Sequence, residues 1–111
     1  MQQMEAEKLL LKAGEAAAFL RAIAHEHRLA ILCCLESGAL SVGDIAAQLD
    51  ISQPKVSQHL MRLRAEHLVK NRRDGTTIYY ELASKPARAI VGTLKEAFCP
   101  PDAAPRRTRK R

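Results

Sequence analysis

The chain contains no Trp, and aromatic residues make up only 4% of its 111 positions, although hydrophobic residues reach 47%. Its core must therefore be filled by Leu, Ile, Val and Ala, which favours packed helices over a strand-rich sandwich. No apolar run approaches the ~20 residues needed to span a bilayer. No basic segment followed by an apolar stretch opens the sequence as a secretory leader would, so the expectation is a cytoplasmic protein. Internal repeats and a Gly-rich phosphate loop are also missing. The length suits one domain with one core, which excludes most multi-domain enzymes. Cysteine is scarce: Cys33, Cys34 and Cys99 are the whole set. In a reducing compartment three cysteines do not make a structural disulfide framework, so they are either inert or present to react.

Charge is abundant but uneven. The total is +6, yet residues 1–50 carry four basic and seven acidic side chains, residues 51–99 nine and four, and residues 100–111 five and one. A positive field confined to one half predicts a polyanionic partner, nucleic acid foremost. An anionic membrane surface fits less well, because no segment joins a basic face to a wide apolar one with exposed aromatics.

Apolar residues recur with helical spacing at Leu9, Leu10, Ala13, Ala16, Ala17, Leu20 and Ile23, predicting a first helix from Glu5 to about Ala24. A second, short helix from about His27 to Glu36 stops at Ser37-Gly38. Ser41 with Asp44 reads as a capping box for a third helix ending near Leu49. After the link Asp50-Ile51-Ser52, a fourth helix opens with Ser52 as N-cap and Pro54 in its first turn and runs to about Glu66. Val56, Leu60 and Leu63 form its narrow inward stripe. Two β-prone runs, Leu68 to Arg72 and Thr76 to Leu82, flank Asp74-Gly75 and predict a hairpin. A last helix from Lys85 to Phe98 places Ala87, Ile90, Val91, Leu94 and Phe98 on one face and is closed by Pro100-Pro101.

The predicted fold is therefore mainly α with a small β-hairpin: four helices, two strands and a fifth helix in winged helix-turn-helix order. Residues 1–99 form the DNA-binding and dimerisation domain, and the basic tail 100–111 has nothing to bury and is expected to be disordered. A lone domain of this size buries only about two thirds of its unfolded surface. Apolar terminal helices gain stability by packing against a second copy, so a homodimer through the first and last helices is expected.

The fourth helix presents Ser52, Gln53, Lys55, Ser57, Gln58, His59 and Arg62 away from its apolar stripe, and its single acid, Glu66, stands at the far end. An ordinary solvated face would mix in more acids. Gln, Ser, Lys and Arg can read base edges when a helix enters the major groove of duplex DNA. The hairpin's Arg72, Arg73 and Thr76 can reach the flanking backbone or minor groove.

The run Leu40-Ser41-Val42-Gly43-Asp44-Ile45-Ala46, then Ile51-Ser52-Gln53-Pro54-Lys55-Val56-Ser57-Gln58-His59-Leu60, Arg62-Leu63-Arg64, Leu68-Val69, and Asp74-Gly75 with Ile78-Tyr79-Tyr80, closely resembles the ArsR/SmtB family of bacterial repressors over about residues 15–99. The resemblance implies a homodimer that binds an operator and releases it on meeting an inducer. Metal-sensing members carry a Cys-x-Cys box on the helix leading into the reading motif, or Asp and His ligands along the last helix. Here Ile45 to Leu49 has no Cys, and Lys85 to Phe98 has no His or Asp. Cys33 and Cys99 instead resemble the dithiol of the persulfide-sensing, SqrR/BigR-like branch, which implies low-molecular-weight persulfides or oxidants as effectors.

A Cys33–Cys99 linkage would tie the second helix to the dimerisation helix. Closing that loop removes roughly 4 kcal/mol of chain entropy from the denatured state in the simple model, against the ~1–3 kcal/mol typical of allosteric coupling. Neighbours on a helix point about 100° apart, so only one of Cys33 and Cys34 can face Cys99; the match selects Cys33 and leaves Cys34 as core. His25 and His27 suit capping and solvent contacts, His59 a backbone or base contact in the reading helix, and Arg28 an acid or a neighbouring backbone group. His67 has no assigned role. Rival readings are a thiolate metal or metalloid sensor using Cys33, Cys34 and a His, and an architectural DNA-binding protein with inert thiols. A thiol enzyme is disfavoured because no acid or base is placed to activate a cysteine. The sequence implies no cofactor or bound metal, although Cys and His are also haem-ligand types.

Overall fold

The computed structural model describes residues 3–98. Its elements run α1 (Gln3–Ile23), α2 (Glu26–Leu35), β1 (Leu40–Ser41), α3 (Val42–Leu49), α4 (Gln53–Ala65), β2 (Val69–Asp74), β3 (Thr77–Leu82) and α5 (Lys85–Phe98). Cys99 and the tail 100–111 lie outside the described residues.

Local chemistry sets the boundaries around the reading motif. Ser41 Oγ accepts the Asp44 N–H at 3.1 Å while the Asp44 carboxylate accepts the Ser41 N–H at 3.3 Å, closing the expected capping box of α3. Asp50 turns the chain with φ 57°, in the left-handed region that Asp tolerates better than most residues. Ser52 then caps α4 by accepting the Lys55 N–H at 3.4 Å, with Pro54 in the first turn.

At its far end α4 stops in a Schellman motif. The His67 N–H bonds Arg64 O and the Leu68 N–H bonds Leu63 O, both at 2.9 Å, with His67 at φ 62°. Leu63 and Leu68 are both buried, supplying the apolar contact that accompanies such stops. His67, which the sequence left without a role, is thus the left-handed residue that ends α4.

The expected two-stranded wing has a third member. β2 and β3 pair antiparallel from Val69↔Leu82 to Asp74↔Thr77, and β1 adds to the other edge of β3 through Leu40↔Tyr80 and Ser41↔Tyr79. Two residues carry no periodic signal, so only their partner strand makes β1 a strand. The hairpin loop is Gly75-Thr76, with Gly75 at φ 69°, the arrangement in which the first loop position demands glycine.

The core is aliphatic, as the composition required. Ile31, Leu32 and Leu35 of α2, Ile45 of α3, Val56, Leu60 and Leu63 of α4, Leu68, Val69 and Leu82 around the sheet, and Val91 of α5 are buried together. From α1 only Ala22 and Ile23 join the buried set. Among the described residues no helix is long and apolar enough to cross a membrane.

Candidate nucleic-acid interface

Helix α4 is anchored by its completely buried stripe of Val56, Leu60 and Leu63. Of the remaining positions Gln53, Lys55, Gln58 and Arg62 are exposed, and Ser57 and His59 are half-buried. Ser52 spends its hydroxyl on the cap. Met61, 70% exposed on the same outer surface, is an apolar side chain that the sequence reading did not single out. Fixing the inward stripe was enough to reveal it, because the helical period then places position 61 outside.

On the wing, Arg72, Arg73 and Thr76 are all exposed. Successive strand residues point to opposite faces, so the two arginines straddle the ribbon instead of forming one patch. The Arg72 guanidinium lies 5.4 Å from the centroid of the Tyr79 ring, its cross-strand partner, which holds the charge in place. Arg73 pairs across the ladder with Ile78 and has no such platform.

His59 is turned toward the start of α2 and not outward. Its ring centroid is 4.7 Å from that of His25 and 5.6 Å from that of His27. His25 caps α2, its Nδ1 accepting the His27 N–H at 3.1 Å. Burial, then the charges of His25, Arg28, His27 and Lys55, push the His59 imidazole below its ordinary value. Arg28 supports backbone: its Nε donates to the Ala22 carbonyl at the end of α1. This clustering was hidden in the sequence because it joins residues more than thirty positions apart.

The thiols sit on the opposite end of α2. Cys33 is half-buried against the core. The Cys34 thiol is pushed up to about 11 by burial and by Cys33, with Lys95 of α5 pulling the other way. It is therefore protonated and poorly nucleophilic near neutral pH. Arg88 Nη1 donates to the Glu36 carbonyl at 3.4 Å, and Lys95 Nζ pairs with the Glu36 carboxylate at 3.1 Å. Gly92 allows this approach, since a Cβ there would stand 3.3 Å from Glu36 Oε2. Arg88, Gly92 and Lys95 of α5 thus all meet the end of α2 at Glu36, the charge of Lys95 also bearing on Cys34, and α5 is described to Phe98, the residue before Cys99. Among the described residues, no group of three His, Cys, Asp or Glu side chains could hold a metal ion.

Residues 25–71 match the model of the bacterial regulatory protein arsR family. The chain is also 36% identical over 96 residues to the transcriptional activator HlyU of Vibrio cholerae, covering 86% of this chain and 89% of that one. The chain belongs to the ArsR family. The solved structure of reduced HlyU from Vibrio cholerae matches this ArsR-family chain with a TM-score of 0.80, over 84% of this chain and 98% of that one, at 36% identity. The transcriptional repressor BigR from Xylella fastidiosa matches with a TM-score of 0.76 at 36% identity, over 85% and 93%. A homodimeric winged helix-turn-helix DNA-binding domain from Mycobacterium bovis matches with a TM-score of 0.71 at 27% identity, over 87% and 86%. The relatives are transcriptional regulators, not enzymes, and this ArsR-family protein is a transcriptional regulator.

Of the expected site residues, the ArsR fold brings Lys55, Gln58 and Arg62 onto one exposed side of α4, with Gln53 exposed at its start. Ser52 is committed to capping and His59 to the α2–α4 junction. Arg72, Arg73 and Thr76 stand on a separate projection, the wing.

Proposed function

We propose that this regulator is a cytoplasmic homodimeric repressor. It reads an operator in duplex DNA through α4 and the wing, and releases it when Cys33 and Cys99 are oxidised or bridged by sulfur. The observation that carries the DNA-binding part is the capped, buried-stripe helix α4, whose outer surface is polar and basic and bears no acid before Glu66. Dimerisation is supported by the apolar surface left uncovered on the terminal helices. Leu10 and Leu11 of α1 are 72% and 67% exposed, and Phe98 of α5 is 78% exposed. One reading head makes weak contacts, and a two-fold pair of heads spaced to neighbouring half-sites supplies the remainder.

The sensing part rests on the packing of α5 against the end of α2 that carries the cysteines, together with the likeness to HlyU and BigR. With a low-molecular-weight persulfide the chemistry balances in three thiolate attacks. Each cysteine takes a sulfane sulfur from one persulfide molecule and releases its parent thiol. One protein persulfide then attacks the cysteine sulfur of the other, leaving a trisulfide and expelling hydrogen sulfide. The link joins the helix beside the reading motif to the dimerisation helix, so it changes the relative pose of the two reading heads.

Anaerobic intact-mass analysis with peptide mapping tests this on reduced protein treated separately with glutathione persulfide and glutathione disulfide. A Cys33–Cys99 bridge carrying extra sulfur after persulfide alone, accompanied by loss of operator binding, is the expected result. A plain disulfide from both reagents makes the protein a general redox switch. If Cys33 and Cys99 stay unlinked under both, the dithiol reading fails.

A further inference from the structure

Three imidazoles meet where α2 begins and α4 passes. His25, His27 and His59 have ring centroids 4.7 to 5.6 Å apart. His25 is exposed while His27 and His59 are half-buried. Arg28 on α2 and Lys55 on α4 press their charges on His59, and Arg62 presses on Arg28. From α1 the cluster's surroundings receive the Ala22 carbonyl, which Arg28 occupies. Glu26 and Asp50 line the open cleft beside His27 and Lys55 and are its acids.

Lys55, His59 and Arg62 follow one another at i, i+4 and i+7, a single strip along one edge of α4. A duplex engaged by the exposed surface of α4 brings its phosphates to that edge, and DNA carries a negative charge for about every 1.7 Å of axis. Imidazole is the side chain whose charge changes between about pH 5 and 8. In the unbound protein, three neighbouring imidazoles and three permanent cations oppose further positive charge. A phosphodiester seated among them reverses that balance.

We propose that His25, His27 and His59, with Lys55 and Arg62, form a proton-linked site for a DNA backbone phosphate, the cluster taking up protons as the complex forms. This rests on the DNA-binding reading above. The sign follows from linkage. Because phosphate favours the charged imidazoles, the bound cluster holds protons more tightly than the free one. Affinity therefore rises as pH falls through the bound cluster's titration range, and the gain is complete once the free cluster is also protonated. The steep region extends to the acid side of the ordinary histidine range, since burial and the neighbouring charges lower the His59 imidazole in the free protein.

The test measures fluorescence anisotropy of a short labelled duplex of generic sequence at fixed ionic strength in EDTA, from about pH 5.5 to 8. Calorimetry in two buffers of different ionisation heat counts the protons. Wild-type protein should bind about tenfold tighter at the acid end and take up about one proton per protomer near pH 6. The variant His25→Asn, His27→Gln, His59→Gln keeps a capping side chain at position 25. It should lose most of that slope and of the proton uptake, whatever its affinity at pH 8. His67→Gln, outside the cluster, should keep the slope. A thermal melt at each pH separates loss of slope from loss of fold, and the double variant His25→Asn, His27→Gln, with a reduced slope, provides a second reading. An unchanged slope in the folded triple variant overturns the proposal, as does a wild-type affinity that is flat or falls with acid. If wild-type protein binds no duplex at any pH or salt, the DNA-binding reading itself has failed.

Discussion

In α4 the residues Val56, Leu60 and Leu63 all point inward and are completely buried, whereas in α1 Leu9, Leu10, Leu11 and Leu20 face solvent and only Ala22 and Ile23 join the buried core. The two helices invert each other's exposure. Helix α4 satisfies its apolar stripe within one chain, and what it displays, Pro54, Met61 and Ala65 apart, is polar and basic, suited to a phosphate-bearing partner. Helix α1 displays what a stable monomer would bury, and that surface suits another apolar surface. One chain thus exposes two kinds of surface, one polar and basic and the other apolar.

Truncating each helix breaks this comparison most sharply. Leu60→Ala should cost about 2–5 kcal/mol of stability in chemical denaturation, through lost burial and a cavity. Leu10→Ala, at a 72% exposed position, should leave the stability of an isolated protomer within about 0.5 kcal/mol but weaken self-association in sedimentation equilibrium. If the two variants behave alike, the contrast between the helices is wrong.

The two cysteines of α2 supply a second contrast. Burial and Cys33 hold the Cys34 thiol at about 11, so its alkylation by iodoacetamide at pH 8 should run about 10- to 100-fold slower than that of an ordinary thiol. The rate should rise about tenfold per pH unit and level off only near pH 11. The sign for stability is the same: the folded state retains the Cys34 proton over a range where the unfolded chain has lost it. Stability is therefore undiminished below the unfolded thiol's range and declines as pH rises toward the folded value.

Smaller effects mark the two ends of α4. Ser52→Ala removes the side-chain acceptor for the Lys55 N–H and should cost about 1 kcal/mol, lowering the melting temperature and fraying the end that carries Gln53 and Lys55. His67→Gly relieves a left-handed residue at φ 62° and should add roughly 0.5–1 kcal/mol. A loss of stability there would mean that the imidazole makes a contact worth more than the backbone strain.

Ser41, Ser52 and Pro54 act on their own turns, and the stripe of Val56, Leu60 and Leu63 repeats with the helix, so caps, helices and inward face were all readable from spacing. The aliphatic core followed from composition. The exposed polar and basic side of α4 was legible for the same reason, since fixing the buried stripe of a helix fixes the opposite side.

What escaped depended on partners distant in the chain. The two residues of β1 become a strand only beside Tyr79 and Tyr80. His59 is drawn to the α2 side of α4 because α2 delivers His25 and His27 to its ring. Cys34 becomes a reluctant thiol because folding buries it beside Cys33, and the charge of Lys95 bears on it only because α5 packs against the end of α2. Periodicity and capping are short-range and are written in neighbouring residues. Burial, charge proximity and strand pairing arise between distant segments, and only the tertiary structure decides them.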